Sequence, residues 1–151
     1  MAEYGKYTDI NEGQLSSDAS SLQGKLKTAQ SELSSFQGTL TDDIWKAGAK
    51  ATLLTAFGTI NDDVYANLDS DLSKIISIAD EIGKYKTAET AAKGYKKEIE
   101  ELNSSISAAE SADPPEPTGD LYTAKATAEK NLATEEKNME DAVTNINTLN
   151  A

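Results

Sequence analysis

The side chains that could carry chemistry in this chain are carboxylates, lysine amines and tyrosine hydroxyls. The 151 residues include no His and no Cys, and all 14 basic residues are Lys. This composition excludes thiol nucleophiles, disulfides, Cys/His zinc sites and histidine general bases. Neighbouring residues on a helix point about 100° apart, so adjacent acids do not form a carboxylate dyad. The adjacent acid pairs are Asp42/Asp43, Asp62/Asp63, Glu100/Glu101 and Glu135/Glu136.

The motifs of common enzyme and metal sites are missing as well. There is no Glu-x-x-His pair for a di-iron bundle, no Asp-rich calcium loop and no glycine-rich phosphate loop after a strand. We therefore expect no catalytic residues, no metal ligands and no cofactor, and we expect the protein not to be an enzyme.

Charge and hydropathy argue against several classes of binding partner. The net charge is −12, which argues against nucleic acid and against anionic lipid, because both require clustered basic residues. The acidity is typical of a solvated helical surface. No run approaches the ~18 apolar residues of a membrane span, and the first residues have no apolar core of a secretory signal. We expect a cytoplasmic protein, or one exported without a classical signal peptide.

The positioning elements are helices, because apolar residues recur at alternating spacings of three and four. The first stripe predicts a helix over about 12–40, and the residues before it, 1–11, show no period and are expected to form a flexible tail. The stripe consists of Leu15, Ala19, Leu22, Leu26, Ala29, Leu33, Phe36 and Leu40.

A second apolar stripe predicts a long helix over about 43–112. Three consecutive spacings of four between Ile60 and Leu72 predict a local change of supercoil. A short step around Gly83 leaves two alternatives, a single helix or two helices with a tight break. The first half of the stripe is Leu53, Phe57, Ile60, Val64, Leu68, Leu72, Ile75, Ala79 and Ile82.

The chain's three prolines lie within Ser111–Asp120 and predict a turn at 113–119. A last helix is expected over about 119–149. No segment reads as a strand. The predicted fold is therefore all-α, with elongated antiparallel hairpins in which a long central helix is flanked by N- and C-terminal helices. The expected domains are a first hairpin, 12–83, and a second hairpin, 84–151.

Between the first two predicted helices lies the corner 41–48, which holds the only Trp, Trp45, and Gly48 three residues later. Trp45 can be read as an apolar plug over the end of a hairpin. It can also be read as a recognition anchor, because Trp is enriched in binding hot spots.

A Trp/Gly corner between two amphipathic helices resembles the WXG family, the small helical-hairpin proteins of type VII secretion in Gram-positive bacteria. Here the motif is Trp-x-x-Gly, Trp45 to Gly48, instead of Trp-x-Gly. The family's Tyr-x-x-x-Asp/Glu export signal is matched by Tyr85 and Glu89, and also by Tyr65 and Asp69 inside a helix. The extra helical length resembles members that accompany LXG toxins.

The resemblance implies a secreted substrate or targeting partner that pairs with a WXG- or LXG-type helical protein, or with itself, and is read by the secretion machinery. Thin hairpins are marginal alone, which also favours a partner. The alternatives are a compact four-helix monomer, a cytosolic adaptor or coiled-coil scaffold unrelated to export, and a membrane-active toxin, for which no apolar segment is present. The predicted partner-binding stripe is Leu15, Leu22, Leu26, Leu33, Phe36, Leu53, Phe57, Ile60 and Val64.

Overall fold

The computed structural model describes residues 2–40 and 47–151, and over these ranges it is helical with no β-strand. The all-α prediction is confirmed. Within these two ranges, four α-helices and one π-helical segment follow one another. They are α1 (Glu12–Gly38), α2 (Ala47–Thr59), the π-helical segment (Ile60–Tyr65), α3 (Ala66–Glu110) and α4 (Gly119–Leu149).

Helix α1 begins and ends through local hydrogen bonds. At its start, the side-chain oxygen of Asn11 accepts a hydrogen bond from the backbone N–H of Gln14 at 2.9 Å, which satisfies one of the free donors of the first turn. At its end, the backbone N–H of Thr39 donates to the carbonyl of Phe36 at 2.9 Å. The helix therefore matches the predicted segment to within two residues at its C-terminus.

The chain from Ala47 to Glu110 is helical throughout, and Gly83 lies inside α3 without a break. The single-helix alternative is therefore the one the structure has. The irregularity lies at the π-helical segment Ile60–Tyr65, where the run of four-residue spacings begins. Residues four apart overshoot one α-helical turn, and a wider π-turn brings them back toward a common face.

The helices form two compact units. The first unit comprises residues 11–79, and the second unit comprises residues 2–10 together with 80–151. Helix α3 contributes its first fourteen residues, up to Ala79, to the first unit and the rest to the second. The expected boundary at 83/84 thus lies at 79/80, and the expected flexible tail belongs to a compact unit.

The first unit pairs α1 with the chain from α2 into α3. The rings of Phe36 and Phe57 meet edge to face with centroids 5.7 Å apart. Further along, the amide of Gln30 donates to Asn61 at 2.5 Å, and the amide of Gln23 donates to Ser73 at 2.9 Å. The partner's number rises as the number in α1 falls, so the two runs are antiparallel.

The second unit pairs α3 with α4, also antiparallel. Asn145 donates to Glu81 at 3.0 Å near one end, and Tyr122 donates to Glu110 at 2.8 Å near the other. Alanines dominate the interface and let the helices approach closely. Its buried apolar residues are Ile82, Tyr85, Ala88, Ala92, Ile106, Ala109, Ala128, Met139 and Ala142.

Residues 2–10, which we call the N-terminal segment, lie against this helix pair. Ala2 is buried in one cluster with Tyr85, Ala92 and Met139, and Tyr4 and Tyr7 pack against the same cluster. The sequence predicted a flexible tail here. The segment is anchored instead because its two tyrosines and one alanine find apolar and polar partners far along the chain.

Candidate functional site

The predicted corner is only partly within the described residues. Trp45 lies outside them. Gly48 is the second residue of α2 and is exposed. A Cβ atom built at Gly48 would meet nothing within 4 Å. Gly48 therefore does not provide a close approach between helices among the described residues.

The predicted partner-binding stripe lies along the first unit and is poorly covered. None of its nine residues is buried. Leu22 is 52% exposed and Phe36 is 49% exposed on α1, and Val64 is 46% exposed in the π-helical segment. Full burial of such a side chain is worth roughly 1.5–3 kcal/mol, so a large part of this stabilisation is not realised within the unit.

Helix α2 also carries apolar side chains that are not buried, and it does so on all its sides. Among its 13 residues Lys50 is the only charged one, and no residue from Gly48 to Thr59 is buried. Leu53 is half-buried, while Leu54, which points about 100° away, is 38% exposed. A helix without a charged face is normally enclosed by other elements. In the described residues nothing encloses α2.

The second candidate site is the pair Tyr85 and Glu89, one turn apart on α3. Tyr85 is fully buried and Glu89 is 5% exposed. The ring of Tyr7 meets the ring of Tyr85 edge to face, with centroids 4.9 Å apart. The hydroxyl of Tyr85 donates to the backbone carbonyl of Glu3 and accepts from the backbone N–H of Lys6 at 3.4 Å. The N-terminal segment therefore covers the predicted export signal.

The carboxylate of Glu89 is held by two donors. The Nζ of Lys93 lies 2.7 Å from Oε1 of Glu89, and the backbone N–H of Gly5 donates to the same oxygen at 2.7 Å. The hydrogen bond from Lys93 lowers the pKa of Glu89 against the effect of burial, and the Gly5 N–H lowers it further. Gly5 has a φ of 79°, a left-handed conformation that favours glycine.

Tyr4 is anchored by two charged side chains, Glu136 and Lys96. Its hydroxyl donates to Glu136 on α4 at 2.9 Å. The Nζ of Lys96 lies 3.8 Å from the centroid of the Tyr4 ring and 3.4 Å from Glu136, which combines a cation–π contact with an ion pair. Burial raises the pKa of Tyr4. The sequence carried a signal for these anchors, since two tyrosines flank a glycine in an otherwise aperiodic segment.

The other match to the export pattern, Tyr65 and Asp69, spans the junction of the π-helical segment with α3 in the first unit. Both residues are half-buried. Asp69 accepts a hydrogen bond from Gln23 at 3.1 Å, so it takes part in the contact between the two helical runs. This match has the packing role expected of a pattern in the middle of a helix.

A groove of about 590 Å³ lies between α3 and α4, lined among others by Glu81, Lys84, Glu135 and Asp141. Lys84 pairs with Glu81 at 2.5 Å, and Lys137 pairs with Asp141 at 2.6 Å. Within the described ranges no group of acidic side chains has the arrangement of a metal site. Among those same residues no helix combines the length and apolar character needed to cross a bilayer.

No family model matches the chain, and no curated protein or solved structure is detectably similar to it. The two surfaces described above are therefore the basis for a function. One is the uncovered stripe of the first unit, and the other is the covered pair Tyr85 and Glu89 of the second unit.

Proposed function

We propose that the protein is a non-enzymatic helical component of type VII secretion. In this role it is a secreted substrate or a targeting partner that pairs with a WXG- or LXG-type helical protein through the stripe of the first unit. The observation that supports pairing is the exposure of this stripe, none of whose nine residues is buried.

The physical argument for a helical partner comes from the shape of the exposed surface. Two antiparallel helices bury one seam, whereas two hairpins laid together make a four-helix bundle with a fuller core. Side chains such as Leu22, Phe36 and Val64 are large and apolar and recur at helical spacing. Their natural cover is a second amphipathic helix pair, supplied by a partner protein or by a second copy of this chain.

The argument for secretion is the resemblance of the corner and of the Tyr-x-x-x-Glu pattern to the WXG family. In this proposal Trp45 and Gly48 form the recognised corner, Tyr85 and Glu89 form the export signal, and the protein passes from the cytoplasm to the exterior without a classical signal peptide. The second candidate is a cytosolic helical adaptor that uses the same stripe. A gene for a membrane ATPase or an LXG-type toxin beside this one would decide for secretion.

The pairing is tested by co-expression with a WXG- or LXG-type helical protein and by expression of the chain alone, each followed by size-exclusion chromatography with light scattering. We expect a complex, either with that protein or between two copies. Leu22→Lys should reduce its formation at least about tenfold, because a charge in a buried apolar seam costs more than ~1.4 kcal/mol.

Ser21→Lys is the matched control, since Ser21 is exposed on α1 next to Leu22 but lies off the stripe. It should leave complex formation unchanged. A protein that stays monomeric in both experiments, or a complex that tolerates Leu22→Lys as well as Ser21→Lys, would overturn the proposed use of the stripe.

A further inference from the structure

We propose that the N-terminal segment is a releasable strap over a peptide-docking site on α3 and α4, centred on Tyr85 and Glu89. The strap and the site follow from the contacts of the second unit. Their use in export rests on the proposed function, because there Tyr85 and Glu89 are the signal that the secretion machinery must reach.

The strap is attached to α3 and α4 by few buried side chains. Of residues 2–10, only Ala2 is buried and only Tyr4 and Tyr7 are half-buried, while the other six are exposed. The segment contains turns but no helix. Segments with few buried apolar contacts open at a lower free energy than the global unfolding of their unit. Three side chains and a few hydrogen bonds thus decide whether the site is covered.

The surface under the strap is suited to exposure. The Tyr85 hydroxyl and the Glu89 carboxylate form its polar centre, and Glu89 keeps its ion pair with Lys93 when the strap leaves. Water can replace the lost hydrogen bonds of both groups. The large aliphatic residues Ile82 and Ile106 are not part of the cluster that the strap covers. Around the polar centre that cluster contains Ala88, Ala92, Met139 and Ala142.

The contacts of the strap define the chemistry of a replacement. Tyr85 and Glu89 are recognised by backbone groups, namely the carbonyl of Glu3 and the N–H groups of Gly5 and Lys6. Any peptide segment carries such groups. The side-chain requirement is an aromatic ring edge-on to Tyr85, as Tyr7 provides. The partner that fits is therefore a non-helical peptide segment with a turn next to an aromatic residue, and Met139 supplies an adaptable floor.

The absence of Cys from the chain makes thiol labelling of the full-length protein a direct test. Ala92→Cys places a thiol in the cluster under the strap, at a position with no exposure. Ala128→Cys is the matched control, because Ala128 is equally enclosed between α3 and α4 but does not belong to that cluster. We expect the thiol of Ala92→Cys to react at least about tenfold faster under native conditions.

A second variant links the faster reaction to the strap. Adding Tyr7→Ala to Ala92→Cys removes the ring contact and should raise the labelling rate about tenfold, while adding it to Ala128→Cys should change nothing. A synthetic peptide of residues 2–10, added to the Tyr7→Ala, Ala92→Cys protein, should slow the labelling again by occupying the site. A peptide with Ala in place of both tyrosines should have no such effect.

Equal labelling rates for Ala92→Cys and Ala128→Cys, with the same dependence on denaturant, would overturn the proposal, because the strap would then open only with the whole unit. No slowing by the peptide would overturn the docking site. The proposed function is tested by a separate outcome. If the strap opens as expected but Tyr85→Ala leaves export unchanged, the secretion role of the site is wrong and the strap remains.

Discussion

The two units share one plan, an antiparallel helix pair, and differ in what lies on top of it. In the second unit the N-terminal segment adds a third layer, and Tyr85 and Met139 become fully buried. In the first unit no described segment adds such a layer. Its buried apolar residues within the described ranges are Ala19, Leu40 and Ala79. The third layer therefore goes with the burial of Tyr85 and Met139, whereas Ile106, Ala109 and Ala128 are buried outside the cluster that the N-terminal segment covers.

Residue size adds to the difference. The seam of α3 with α4 is lined by alanines such as Ala88, Ala109 and Ala128, which let the helices approach and exclude water with little volume. The first unit carries Leu22 and Phe36 at the corresponding kind of position, and both stay about half exposed. Leu22 and Phe36 are therefore less buried than the alanines of the second unit, although large apolar side chains are usually found inside a closed core.

The largest expected effect breaks the closed unit. Met139→Ala should destabilise the second unit by roughly 2–5 kcal/mol, because it removes a fully buried side chain and leaves a cavity. Leu22→Ala in the first unit should cost less than ~1 kcal/mol, since about half of Leu22 is already in water. Urea unfolding followed by circular dichroism measures both. Equal losses would contradict the contrast between the units.

An intermediate effect comes from acid. The pKa of Glu89 is below its usual 4.5, through Lys93 first and Gly5 second, so Glu89 stabilises the folded unit at pH above 4.5. This contribution is lost as the pH falls below 4.5 through the folded value. Protonation of Glu89 weakens the hydrogen bond from the backbone N–H of Gly5, which joins Glu89 to the N-terminal segment. The labelling rate of Ala92→Cys, divided by that of Ala128→Cys to cancel the falling thiolate fraction, should therefore rise in this range, and the rise should be smaller when Glu89→Gln is added.

The control for the acid effect is Glu81→Gln. The pKa of Glu81 is also lowered, by Lys84 first and by Asn145 second, but these hydrogen bonds join Glu81 to α3 and α4 and not to the N-terminal segment. This variant should keep the acid-dependent labelling of Ala92→Cys. A response abolished equally by Glu81→Gln and Glu89→Gln would assign it to general acid unfolding of the unit.

The smallest expected effect is a change in the stability of the first unit. Gly58→Ala in α2 should raise the stability of the protein by about 0.5–1 kcal/mol, because Ala favours a helix and its Cβ would meet nothing within 4 Å. Thermal unfolding measures the gain. If the same variant weakens the complex with the partner, the glycine is kept for close approach of the second protein and not for folding.

Helix boundaries were the most predictable part of the fold. The last helix was expected over 119–149 and is Gly119–Leu149, because the prolines before it mark its start locally. The two alternatives at Gly83 came from the short step of the apolar stripe there. The helix continues because a glycine lowers helix stability by only ~1 kcal/mol, a cost that packing against α4 offsets. The π-helical form of Ile60–Tyr65 could not be read from spacing alone, although its position could.

The candidate sites were less predictable. The pattern Tyr85 to Glu89 was visible in the sequence, but its burial was not, because the cover is a segment about 80 residues away along the chain. Local periodicity carries no information on such a contact. The exposed stripe was expected to bind a partner, and the structure adds which of its residues are uncovered. Trp45, the first candidate of the corner, lies outside the described residues.

The order of the two units along the chain has a consequence for synthesis. The second unit begins with residues 2–10, is interrupted by the whole first unit, and is completed by residues 80–151. At ribosomal rates of roughly 5–20 residues per second, the N-terminal segment waits several seconds for its binding site on α3 and α4 to be made. Once residue 79 has been made, the first unit can fold and meet a partner while residues 80–151 are still being added. The nascent chain is thus open at both surfaces before the finished protein covers one of them.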